Sequence, residues 1–169
     1  MTAVGRVIDG IALAMHWLSG ALLVIMVFTV MVDVVTRALF GATSGAVDLT
    51  ISGGIEIVSY GLLFMVLFTL PQSVAQGQVI VDLFTERLGE RAKTRLSALY
   101  ALGFGLLGSG MALRLGESAQ RTAASGETTQ DLLIPIWIVY AGAAFASLML
   151  ALRSFLVGWR RVVGLEEAQ

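Results

Sequence analysis

Four long apolar runs separated by short polar stretches set the pattern of this chain. The first spans Gly10–Val32 and stops at Asp33. The second runs from about Ile51 to Ala75, interrupted only by Glu56. The third covers Leu96–Leu113, and the fourth begins at Leu132 and passes Leu152. One bilayer crossing takes about 20 apolar residues as a helix. The pattern therefore predicts an all-α integral membrane protein, a single membrane domain over residues 1–169. Its four transmembrane helices are placed at about 10–32, 51–75, 96–113 and 132–157. The third is the shortest and suits a thin span. Pro71 removes a backbone donor and predicts an end or a kink in the second helix. Pro135 falls near the start of the fourth, where the first turn has free N–H groups in any case.

Between the second and third runs the period changes. Ile80, Leu83, Phe84, Leu88, Ala92 and Leu96 recur at spacings of three or four, and Glu86, Arg87, Glu90, Arg91 and Lys93 fill the other positions. That is an amphipathic helix over about 80–95, expected to lie on the membrane face against phospholipid. A simple extension of the third helix into the cytoplasm accounts for the same pattern.

Composition reinforces the membrane reading. The chain is 57% hydrophobic and 14% charged, with a mean hydropathy of +0.85. A soluble domain is roughly 45–50% apolar and 25% charged. Arg6 precedes an uncharged stretch far longer than the about 7–15 residues of a signal-peptide core, so the first run is expected to stay as a permanent helix. The 11 basic residues divide unevenly. Arg6, Arg87, Arg91, Lys93, Arg95, Arg153, Arg160 and Arg161 fall on one side; only Arg37, Arg114 and Arg121 fall on the other. Lys and Arg favour cytoplasmic loops, so both termini are expected in the cytoplasm. Trp137 with Tyr140, and Trp159 with Arg160 and Arg161, bracket the fourth helix at headgroup level. Trp17 sits too deep for that role and is a candidate to face a partner.

Charge and composition also exclude chemistry. No basic block points to nucleic acid. The absence of Cys removes disulfides, iron–sulfur clusters and thiolate metal sites, and a single His cannot supply a bis-histidine haem. No nucleophile–base pair, metal cluster or phosphate loop can be assembled, so the chain is not expected to be an enzyme or to hold a cofactor or metal.

Charged groups inside a membrane segment are costly and mark candidate sites. Glu56 is the leading one. It is read as the structural partner of a basic residue, Arg37 or one on another chain, and the competing role is binding a proton or cation. Asp33 and Arg37, four apart with the acid first, form a favourable helical pair. His16 is read as hydrogen-bonded to a neighbour. In the third helix Ala101, Gly105 and Ser109 recur every fourth residue, with Gly103, Gly108 and Gly110 nearby. In the fourth, Gly142 and Ala146 share a face, and Ala143 and Ser147 the next. Small residues at this spacing let helix backbones approach closely. They predict tight packing within the chain or against a partner. No repeat relates the two halves, unlike many self-contained transporters.

The order of these features resembles the small membrane subunit, the DctQ type, of tripartite ATP-independent periplasmic (TRAP) transporters. The resemblance runs over nearly the whole chain. It rests on the Arg37-Ala-Leu-Phe40 exit of the first helix, Glu56 at the head of the second, and Gly77-Gln78-Val-Ile-Val-Asp82-Leu after it. The charged stretch with Arg91 and Arg95 follows, and Leu-Ile-Pro135-Ile-Trp137-Ile-Val-Tyr140 leads into the fourth helix. Gln78 stands where the family often has His, so a role specific to that His does not carry over. The resemblance implies a large polytopic TRAP membrane subunit and a periplasmic substrate-binding protein as partners, in a bacterial inner membrane. It also implies sodium-driven import of an organic acid, with sodium held by the large subunit. This chain would then brace the large subunit and help dock the binding protein, with Asp33, Arg37, Phe40 and Glu56 beside the docking surface. Two other readings stay open: a stand-alone proton-coupled transporter using Glu56, and a membrane anchor for an enzyme complex.

Overall fold

The computed structural model describes residues 3–46, 49, 53–76 and 90–162. Among them are four helices: α1 (Ala3–Ala42), α2 (Gly54–Gln76), α3 (Glu90–Ser125) and α4 (Ile136–Val162). Each is long and apolar enough to cross a membrane. Among the described residues there is no strand, only an isolated bridge between Thr128 and Pro135. The four-span, all-α expectation holds.

The helices outrun the apolar runs that announced them. At ~1.5 Å per residue α1 is about 60 Å long and α3 about 54 Å, against a hydrocarbon thickness of about 30 Å. Hydropathy marks the buried depth, whereas a helix continues until its backbone is capped. At the end of α1, Thr43 and Gly45 donate their N–H groups to the carbonyls of Leu39 and Phe40, and Gly45 adopts φ +86°. Gly126, at φ +72°, closes α3 by donating to Thr122 O. Both are left-handed C-terminal caps. Pro71 neither ends nor opens α2, which continues to Gln76 with the proline fully buried. Membrane helices tolerate such prolines because neighbouring groups take over the freed backbone positions.

α4 packs against each of the other three helices, while α1 lies chiefly on α2 and α3 on α4. The contacts give the directions. Met26 meets Gly61 and Asp33 approaches Gly54, so α1 and α2 are antiparallel. Ala101 meets Gly158, and Gly108 meets Ser147 and Ala151, so α3 and α4 are antiparallel too. Two ends result. A terminal end carries the start of α1 and the end of α4, and a loop end carries the end of α1, the start of α2 and the α3–α4 connection. The core cluster of Met15, Leu67, Ala143, Ala146 and Met149 lies between them, with Ile11, Phe68, Leu70, Met111 and Leu115 against it.

Close approach is built on glycine. A Cβ at Gly108 would lie 2.9 Å from both Ala151 N and Ser147 O, the backbone of α4 itself. Gly105 accepts the Phe155 ring, Gly142 accepts Phe64 of α2, and Gly61 accepts Met26. Ala101 and Ala146 are fully buried. Ser109 turns its hydroxyl to Gly105 O at 2.8 Å within its own helix. The predicted small-residue faces are therefore used inside the chain, knitting α3 to α4 and α4 to α2. Gly103 and Gly110, by contrast, have nothing near them among the described residues. α1 buries least, and Trp17, Val24 and Phe28 all point away from the bundle. Trp17 thus faces lipid or another chain.

The predicted interfacial helix over 80–95 lies largely outside the described residues. Its last part, from Glu90, continues without a break into α3.

Candidate functional site

At the loop end, polar and close-packed contacts tie α1, α2 and the α3–α4 connection together. Glu56, in the first turn of α2, reaches across to the α3–α4 connection. Its two carboxylate oxygens accept the backbone N–H groups of Asp131 at 2.8 Å and Leu132 at 3.1 Å. Beside it Gly53 packs so tightly on Leu132 that a Cβ there would lie 2.7 Å from the leucine side chain. Gly53 also holds φ +83°, a conformation that favours glycine, while its carbonyl accepts the first helical bond of α2 from Ile57.

The receiving connection is built to present those two N–H groups. Thr129 is buried; it donates its N–H to Ile134 O at 2.8 Å, and its hydroxyl accepts from Ile134 N at 3.1 Å. Ile136 N donates to Glu127 O at 3.0 Å. The tight turn between them forces Leu133 to φ +53°. Within this clasp the N–H groups of Asp131 and Leu132 converge on Glu56, and charge-assisted bonds of this kind are stronger than neutral ones.

The expected pairing of Glu56 with Arg37 is corrected by this geometry. Arg37 instead donates Nε to Asp33 Oδ2 at 2.8 Å, one turn back along α1. Two residues four apart on one helix meet without any tertiary arrangement, whereas Glu56 lies on a different helix and finds closer donors in the loop. The other Asp33 oxygen is buried without a hydrogen-bond partner among the described residues and lies 3.8 Å from the Cβ position of Gly54. A carboxylate there faces the positive end of the α2 dipole. Asp33 and Gly54 also line a cleft of about 250 Å³ between α1 and α2, with Thr29, Val30, Ile55, Val58 and Ser59. Phe40 packs near Gly45 at the α1 cap and is otherwise exposed.

The terminal end carries a second polar cluster that sequence reasoning missed. Arg153 of α4 is buried, donates to Gln72 of α2, and lies 3.5 Å from Asp9 of α1. Arg160 reaches the other Asp9 oxygen at 3.5 Å. Arg161, also buried, donates to the Ser97 hydroxyl of α3 at 2.6 Å. One network thus joins α1, α2 and α4, and a neighbouring bond joins α3 and α4. The signal was present in the sequence: Arg153, Arg160 and Arg161 are spaced i, i+7 and i+8 and share a face of α4. The rules for membrane orientation and headgroup placement account for these arginines without assigning them a partner, and Asp9 lies ahead of the apolar run. Mid-bundle, Ser19 adds a polar tie by donating to Met65 O at 3.0 Å and meeting the Thr69 hydroxyl. His16 is exposed.

Gln78, Asp82 and Phe84 lie outside the described residues. Arg91 belongs to the first turn of α3, and Arg95 is exposed. Among the described residues no group of three or more His, Cys, Asp and Glu gathers as a metal site would require.

What the bundle and its clasps define is a polytopic membrane subunit whose inward polar groups hold helices and connections together. The family model of the DctQ component of tripartite ATP-independent periplasmic transporters matches residues 26–164, and the chain belongs to that family. It is thus a small membrane subunit of a TRAP transporter. Comparison with curated proteins and with solved structures gives no match.

Proposed function

We propose that this chain is the non-transporting brace of its transporter. It widens and stiffens the membrane footprint of a large polytopic subunit, and its loop end helps to receive a periplasmic binding protein. The assembly imports an organic acid driven by sodium, with the sodium sites on the large subunit. Both termini lie in the cytoplasm of a bacterial cell, as the bias of Lys and Arg toward the terminal end favours. The loop end, with Asp33, Arg37, Phe40 and the Glu56 clasp, then faces the periplasm.

The observation that carries this reading is the commitment of Glu56. It is the acid that a self-contained proton-coupled transporter would need, and both of its oxygens accept backbone N–H groups of a rigid turn. A carboxylate so used serves as a latch. Family membership over residues 26–164 supports a large membrane subunit and a binding protein as the partners.

The test is reconstitution. The chain is co-expressed with the large subunit, purified in mild detergent and placed in liposomes with the binding protein and labelled organic acids. Expected is stoichiometric copurification and sodium-dependent uptake that requires all three components. Uptake by the large subunit and binding protein at full rate without this chain would remove the bracing role. Uptake by this chain alone would restore the stand-alone reading.

A further inference from the structure

α3 carries a charged face at a depth where the other helices are apolar. Arg114 and Arg121 both converge on the Glu117 carboxylate, at 3.8 and 3.9 Å, with side chains 84%, 79% and 55% exposed in the order Arg114, Arg121, Glu117. The packing sets their depth. Leu115, beside Arg114, lies against the core cluster that includes Leu67 and Ala143. Leu67 is eleven residues along α2 from Glu56, and Ala143 is seven residues into α4. At ~1.5 Å per residue, the backbone at Arg114 is about 10–16 Å inside the loop end. On the far side of the bundle α1 turns Leu18, Leu23 and Val24 outward beside its own part of that cluster, Met15. Cα–Cβ bonds tilt toward a helix N-terminus, here away from the loop end, so Arg114 starts out aimed deeper still. Arg121, two turns on, lies nearer the rim.

Lipid is a poor cover for this face. Charged side chains at bilayer depth turn toward protein or water and pair with opposite charge. Two guanidinium groups share one carboxylate, which leaves a net positive charge. Every small-residue contact of α3 with its own chain is made on the opposite, α4-facing side, through Ala101, Gly105 and Gly108. We infer that the Arg114–Glu117–Arg121 face of α3 is the seam against the large membrane subunit, which covers it with a polar surface that includes an acidic residue. This inference rests on the proposed function for the existence of that partner and adds which helix meets it and through what chemistry.

The chain has no Cys, so single-cysteine spin labelling of the co-expressed complex in liposomes tests the seam directly. Labels are placed by Gly110→Cys and Ser118→Cys, one turn either side of Arg114 on the same face and leaving the charged triad intact, with Val24→Cys as the outward-facing control on α1. If the seam is right, labels at 110 and 118 become immobile in the complex and protected from both oxygen and a water-soluble nickel chelate, while the control stays open to oxygen. Arg114→Glu then lowers the amount of large subunit retained on the tagged chain by about tenfold or more, as loss of a buried interfacial charge pair does. Labels open to nickel would mean a water-lined face, and labels open to oxygen a lipid-facing one; either overturns the inference while the wild-type complex still forms. Failure of the wild-type chain to retain the large subunit at all would overturn the proposed function and this seam with it.

Discussion

The contact between α3 and α4 at Gly108 offers a calibrated test of what holds the bundle together. In lipid, burial of apolar surface gives little reason for helices to associate, and close van der Waals packing takes over. Gly108 is the glycine that packs against the backbone of a neighbouring helix. A Cβ would sit 2.9 Å from Ala151 N and Ser147 O and 3.2 Å from Ala151 Cα. These are backbone atoms of a neighbouring helix and cannot rotate aside, so Gly108→Ala has to push the two helices apart. Gly103, five residues earlier on α3, has nothing within 4 Å among the described residues and is the matched control. Any gain in helix propensity from replacing glycine, up to about 1 kcal/mol, is common to both and cancels in the comparison. What remains is the overpacking cost of about 1–3 kcal/mol. With 1 kcal/mol shifting the midpoint by about 2–4 °C in a chain of this size, Gly108→Ala is expected to melt about 2–12 °C below Gly103→Ala. Thermal unfolding of the two variants in one mild detergent, followed by far-UV circular dichroism, reads the difference. Coincident midpoints would refute the claim that backbone contact at Gly108 organises the α3–α4 pair.

Other outcomes follow from the two polar clusters. Glu56→Gln keeps the shape of the side chain but leaves one acceptor where two N–H groups converge, so amide exchange at Asp131 and Leu132 should speed up while exchange in mid-α4 stays slow. Unchanged exchange at both amides would mean the clasp holds without the carboxylate. Gly53→Ala should destabilise the same junction through φ +83° and the 2.7 Å approach to Leu132. A left-handed residue with a Cβ costs roughly 1–2 kcal/mol before any clash, and a melting point equal to wild type would count against it. At the terminal end, Asp9→Asn strands Arg153 and Arg160 and should lower the melting temperature more than Arg153→Met does. The double variant should then recover part of the loss, because removing one partner of a buried ion pair is worse than replacing the pair. Simple additivity in that double-mutant cycle would show that the two residues do not interact.

The spans were legible because a bilayer imposes a length and a polarity that any sequence must meet. Asp33–Arg37 was legible for a similar reason, since a spacing of four on one helix creates the contact. Gly105, Gly142 and Ala146 were recognised as packing residues by their spacing, and the structure shows that their neighbours are within the chain. The partners of Glu56 were not legible. Spacing says nothing about a loop 75 residues away whose N–H groups converge only after Thr129 and Ile134 have closed it. The pairing of Asp9 with Arg153 was not legible either, because an arginine at a helix end satisfies the rule for membrane orientation, and that rule is silent about where the side chain turns.

From the sequence alone came the number of spans, the exclusion of thiolate and bis-histidine chemistry, and the resemblance to the DctQ type. These are properties of composition, apolar run length and the order of short motifs along the chain. Tertiary structure decided the rest. It placed α4 against all three other helices, directed the glycine faces inward and gave Glu56 its loop. It also set Arg114 and Glu117 at the depth of the core. Each of these depends on the register between helices, and register comes from side chains and glycines meeting across gaps that no single-helix periodicity records.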